Sequence, residues 1–231
     1  MTKHHQARIC FFALTLVTIV FSTIMAAKSE AIAPLPFEPP LVVVMLGDSL
    51  TAGYGLDPEE ALPVRLEEAL RAEGYNIEIR NAGLSGDTTA GGADRIDWSV
   101  DEDVAAVLVA LGANDLLRAI DPNETEQNLD SIIRQLQAHD VKILLAGMLA
   151  LPNYGAEYVD AFNAIYPRLA SRYDIPLFPF LLEGVTTTPE LLQEDGLHPN
   201  EAGVRVIVNG LKPFIAHTLF PQENAPSPSA Q

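Results

Sequence analysis

One cysteine stands in the whole chain, Cys10, and it falls in the apolar stretch near the N-terminus. A disulfide framework is therefore excluded, and beyond that stretch so are a thiolate zinc site and a cysteine nucleophile. Basic residues are scarce as well. Fourteen Lys and Arg face 31 Asp and Glu, for a formal charge of −17, and the basic residues are scattered. Nucleic acid is a poor partner for such a chain, because phosphate binding needs a concentrated basic surface. Docking on anionic lipid through a polybasic patch is excluded on the same ground. Aromatics are few, with a single tryptophan, Trp98. No phosphate loop, dinucleotide fingerprint or internal repeat is present.

The N-terminus has a pattern of its own. Lys3 and Arg8 precede an apolar run from Ile9 to Met25, followed by small residues at Ala26, Ala27, Ala31 and Ala33. This is the three-part pattern of a secretory signal. The run is at the short end for spanning a bilayer. Residues 1–33 are expected to be a leader cleaved between 26 and 33, which places the protein in the periplasm or outside the cell with no stable membrane insertion. Cleavage after Ala33 removes Lys3, Arg8, Lys28 and Glu30 and leaves 11 basic and 30 acidic side chains. Residues 34–40 are a proline-rich lead-in, 41–220 one domain, and 221–231 a polar, proline-bearing tail expected to be disordered.

Within the domain, apolar runs alternate with helical periodicity. Leu41–Leu46 and Val104–Leu111 are unbroken apolar stretches, the mark of parallel strands buried on both faces. Asn76–Arg80, Val141–Gly147 and Pro176–Phe180 supply three more strands. Helices are expected over Pro58–Gly74, from Thr88 or Thr89, behind an Asn123-Glu124-Thr125-Glu126 capping box, over Ala156–Tyr173 with a kink at Pro167, and from an Asn200 cap to about Leu219. The fold class is α/β: a three-layer α/β/α sandwich on a flavodoxin-like five-stranded parallel sheet of order 2-1-3-4-5.

Ligands of such sheets bind beyond the carboxyl ends of the strands. Four loops at that edge carry Ser49, Gly86, Asn114, and Asp195 with His198. A serine hydroxyl is a poor nucleophile until a base takes its proton. A histidine oriented by a carboxylate supplies that base. Asp195 and His198, three apart across Gly196, meet if the turn is tight. An oxyanion then needs preorganised donors, which Ser49 N–H, Gly86 N–H and the Asn114 amide can furnish. Each residue alone also has a plain structural role: Ser49 and His198 in turns, Gly86 for backbone freedom, Asn114 as a cap. Ser85 is a rival nucleophile, but Gly83-Leu84-Ser85-Gly86-Asp87 is not the Gly-x-Ser-x-Gly elbow. Asp48 and Asp115 form a candidate carboxylate pair, read here as bonding loop backbones instead.

Taken together, the blocks Gly47-Asp48-Ser49-Leu50, the Gly86 loop, Gly112-x-Asn114-Asp115 and Asp195-x-x-His198 resemble those of the SGNH (GDSL) hydrolases. The resemblance covers nearly all of residues 41–219. It is nearest to the bacterial branch of multifunctional acyl-CoA thioesterase I, lysophospholipase and arylesterase. It implies Ser49 as nucleophile, His198 as base, Asp195 as its orienting carboxylate, and an oxyanion hole of Ser49, Gly86 and Asn114, with no metal and no cofactor. It also makes residues 149–158 a substrate-binding loop. The expected activity is hydrolysis of small acyl esters, thioesters or lysophospholipids by a monomer. The alternatives are a carbohydrate acetylesterase and a non-catalytic binding module on the same scaffold. Met148, Leu149 and Leu151 either line an acyl groove or cover the core.

Overall fold

The computed structural model describes residues 39–221, so the expected leader and nearly all of the tail lie outside the described residues. Among the described residues, five parallel strands form one sheet: β1 (Leu41–Gly47), β2 (Ile77–Gly83), β3 (Val104–Ala110), β4 (Lys142–Ala146) and β5 (Leu177–Phe178). Their order is β2-β1-β3-β4-β5, as the strand and helix alternation predicts. Val43, Val44, Met45 and Leu46 of β1 are buried, as are Val107, Leu108, Val109 and Ala110 of β3. Both strands carry apolar side chains on each face because helices cover each face.

Helices α1 (Ser49–Ala52), α2 (Leu62–Ala72), α3 (Thr89–Asp94), α4 (Ile96–Ser99), α5 (Ala113–Leu117), α6 (Pro122–Ala138), α7 (Ala156–Asn163), α8 (Ile165–Tyr173) and α9 (Glu201–Leu219) fill the connections. α2 packs against α9, while α3, α7 and α8 gather on α6. The two groups make the outer layers of the sandwich.

Several local expectations need correction. The segment after β1 is not a plain loop: Asp48 caps a one-turn helix that begins at Ser49. Gly112-Ala113-Asn114-Asp115 likewise opens the short helix α5. The cap of α6 is Asp121, whose carboxylate accepts from Asn123 N–H, with Pro122 in the first turn. A proline in the first turn needs no N–H partner, so it moves the start ahead of Asn123. Glu126, expected to close the capping box, instead pairs with Arg168 and Arg172. The helix expected over Ala156–Tyr173 is two helices parted at Ala164. Pro167 has no N–H to offer the carbonyl four residues back, at Asn163, and the break falls there. The Asn163 side chain meanwhile accepts from Ala150 N–H at 2.7 Å. Thr88 caps α3 and Asn200 caps α9, both as expected.

Register positions the site. Gly47 at the end of β1 lies level with Gly83 of β2 and with Ala110 of β3. The loops that leave these three residues carry Ser49, Gly86 and Asn114.

Candidate active site

The Asp195–Pro199 turn is tight. Gly196 sits at φ +68°, in the left-handed region. Asp195 Oδ1 accepts from the N–H groups of Leu197 and His198, at 2.9 and 3.0 Å. Its Oδ2 meets His198 Nδ1 at 2.6 Å. On the far side of the ring, His198 Nε2 lies 2.8 Å from Ser49 Oγ. The donated backbone bonds, then the imidazole, hold the Asp195 carboxyl down to about 2. An ionised carboxylate only accepts hydrogen bonds. The Nδ1 proton is thereby fixed toward Asp195, and Nε2 is left as an acceptor facing the Ser49 hydroxyl. The ring of Tyr54 lies against the imidazole, centroids 4.6 Å apart.

Asn114 sits in the first turn of α5, after Gly112 at φ +118°. A Cβ at Gly112 would come within 2.0 Å of the Tyr166 hydroxyl. That hydroxyl donates to Leu111 O at 2.8 Å and fixes the turn from below. Gly86, at φ +84°, is held from outside: the Arg118 guanidinium donates to its carbonyl at 2.7 Å. Asn114 Nδ2 donates to Asp48 Oδ2 at 3.4 Å, and Asp48 Oδ1 caps Leu50 N–H at 3.0 Å. Burial pushes the Asp48 carboxyl up to about 6, against the pull of Leu50 N–H, His198 and Asn114.

The rivals stand apart. Ser85 is exposed, and His198 is already engaged with Ser49 and Asp195. Asp115 accepts from Thr89 N–H at 2.8 Å and from the Thr89 hydroxyl, in a network separate from that of Asp48. Both carboxylates bond backbone, but at helix N-termini and not in loops: Asp48 takes Leu50 N–H of α1 and Asp115 takes Thr89 N–H of α3, and each also takes a side-chain donor. His139, at the C-terminal end of α6 and away from the cleft, has its Nε2 3.3 Å from Asp97 Oδ1.

A cleft of about 270 Å³ opens beside Ser49 and His198. Met148, Leu149 and Leu151 all line it, together with Leu117, Phe180 and Leu197. Met148 is 2% exposed, so it covers the core while its surface closes the cleft floor. Leu117, Leu151 and Leu197 are half exposed and form an apolar mouth.

The sequence profile described as the GDSL-like Lipase/Acylhydrolase family matches residues 45–206. The chain belongs to that family. It is 39% identical over 178 residues to Esterase TesA of Pseudomonas aeruginosa, covering 77% of this chain and 89% of that protein. It is 38% identical over 181 residues to Thioesterase 1/protease 1/lysophospholipase L1 of Escherichia coli, covering 78% and 82%. Among solved structures, AlinE4, described as an SGNH-hydrolase family esterase, is 46% identical with a TM-score of 0.66, covering 79% of this chain and 98% of that one. Membership makes this chain a carboxylic ester hydrolase.

Four residues that shape the site escaped the sequence reading: Arg118, Tyr54, Tyr166, and Arg95. Arg95 donates to Gly47 O and Ala82 O, both at 2.8 Å, and to Asp87 Oδ2 at 2.7 Å. One buried guanidinium thus ties the ends of β1 and β2 to the Gly86 loop.

Proposed function

We propose that Ser49 is the nucleophile of a two-step acyl transfer to water. Ser49 Oγ attacks the acyl carbonyl while its proton passes to His198 Nε2. The tetrahedral oxyanion lies against Ser49 N–H, Gly86 N–H and the Asn114 amide. His198 returns the proton to the departing alcohol or thiol, and the acyl group stays on Ser49. A water then attacks the acyl-enzyme, gives its proton to His198, and releases the acid as Ser49 recovers its hydrogen. Asp195 keeps the imidazole in the required tautomer. The observation that carries this reading is the unbroken relay from Asp195 through His198 to Ser49, at 2.6 and 2.8 Å.

The apolar cleft favours substrates with an acyl chain beyond acetyl. Relatives named arylesterase and thioesterase 1/lysophospholipase L1 extend the proposed range to aryl esters, thioesters and lysophospholipids. The leader pattern of residues 1–33 supports a role outside the cytoplasm, with lysophospholipids and exogenous esters as the fitting substrates.

The test is hydrolysis of p-nitrophenyl esters from acetate to palmitate by the protein and by Ser49→Ala. The expected result is turnover that rises beyond acetate and vanishes in the folded variant. Turnover of acetate alone would favour a carbohydrate acetylesterase. Equal rates in the two proteins would move the nucleophile elsewhere, with Ser85 next in line.

A further inference from the structure

We propose that Asp48 is a positioning residue, whose carboxylate turns the Asn114 side-chain amide so that its N–H, and not its carbonyl, faces the reacting oxygen. The proposal rests on the oxyanion role of Asn114 given above. Asp48 is fully buried between the end of β1 and the first turn of α1. Its two oxygens have separate tasks: Oδ1 caps Leu50 N–H at 3.0 Å, and Oδ2 receives Asn114 Nδ2 at 3.4 Å.

An amide has two ends of nearly the same shape and opposite polarity. Packing alone does not choose between them, but a carboxylate does, because it accepts and never donates. With Asp48 ionised, the Asn114 oxygen is repelled from Oδ2 and the nitrogen is held there. That nitrogen has two hydrogens. One goes to Asp48, and the other is free for the cleft that Ser49 and Asn114 both line. The charge also strengthens the bond. Asp48 adjoins Ser49 in the chain, so the same residue fixes the start of α1 and the donor opposite.

An Asn at 48 inverts the choice. Its oxygen must still cap Leu50 N–H, so its NH₂ group faces Asn114. Two NH₂ groups do not bond, and Asn114 flips to present its carbonyl. The N–H then leaves the oxyanion position although no volume has changed.

A double-mutant cycle on p-nitrophenyl butyrate tests this, with kcat and KM measured for the wild type, Asp48→Asn, Asn114→Ala and the pair. Asn114→Ala is expected to lower kcat by about 10²–10³. Asp48→Asn is expected to lower kcat at least about tenfold with KM nearly unchanged, and to cost almost nothing further in the Asn114→Ala background. Equal losses in both backgrounds, or a full rate in Asp48→Asn, would overturn the proposal while leaving Ser49 catalysis intact. Full activity in Ser49→Ala would instead remove the reading beneath it, and full activity in Asn114→Ala would leave Asp48 nothing to position. Asp48→Ser is the second variant. Serine caps helices well but is too short to reach Asn114, so the same kcat loss is expected. Should both variants fail to fold, the wild type still decides. Its Asn114 side-chain NH₂ resonances should move as Asp48 titrates, and resonances that stay fixed would contradict the proposal.

Discussion

Arg95 and Asp87 form a buried ion pair, Nε to Oδ2 at 2.7 Å, with side chains 5% and 8% exposed. The same guanidinium bonds the carbonyls that end β1 and β2, so its five donors are largely satisfied by groups that carry the site. Breaking such a pair from one side leaves a buried charge uncompensated, at a cost of about 3–5 kcal/mol. Arg95→Leu is therefore expected to lower the urea midpoint sharply and to lower activity with it. An unchanged midpoint would mean that Asp87 finds another partner or reaches water.

Arg118 works differently, because it is exposed. Its bond to Gly86 O sets the plane of a peptide next to the proposed Gly86 N–H donor. Arg118→Ala is expected to leave the melting temperature unchanged and to lower kcat by roughly three- to tenfold, the scale of one hydrogen bond near 1 kcal/mol. Steady-state kinetics beside a thermal melt separates the two effects. A lower melting temperature with an unchanged kcat would make Arg118 a surface brace only.

Asp48 gives the protein an unusual pH dependence. Burial raises its folded-state value to about 6 from 3.8, so between those values the folded chain holds a proton that the unfolded chain has released. Stability then falls as pH rises through that window, by up to about 3 kcal/mol for two pKa units. The charges facing Asp48 are His198 and Asp87, with Arg95 holding Asp87 and the phenol of Tyr166 below. Urea unfolding at pH 4 and pH 7 checks this. The loss between the two is expected to shrink in Asp48→Asn, and an identical loss in both proteins would assign it to other groups.

The order of strands and the edge that bears the site followed from short-range pattern. Leu41–Leu46 and Val104–Leu111 are apolar at every position, short, and each followed by a glycine, which together mark a strand covered on both faces. Asp195 and His198 lie three apart, so their meeting needed only one tight turn. What the pattern missed was contact across long separations. Arg95 reaches Gly47 over 48 residues and Asn114 reaches Asp48 over 66. No spacing rule links such pairs, since the sheet register brings them together. Short helices were missed for another reason. Ser49–Ala52 and Ala113–Leu117 are too brief for periodicity, and tertiary contacts hold them where propensity alone would not.

The most direct test of the account is to find the acyl group itself. The protein is mixed with p-nitrophenyl butyrate, quenched in acid within the first turnovers, digested and read by mass spectrometry. The account predicts a butyryl adduct on the peptide that contains Ser49, absent from Ser49→Ala. Butyrylation of the Ser85 peptide instead, or steady turnover by the folded Ser49→Ala variant, would contradict it.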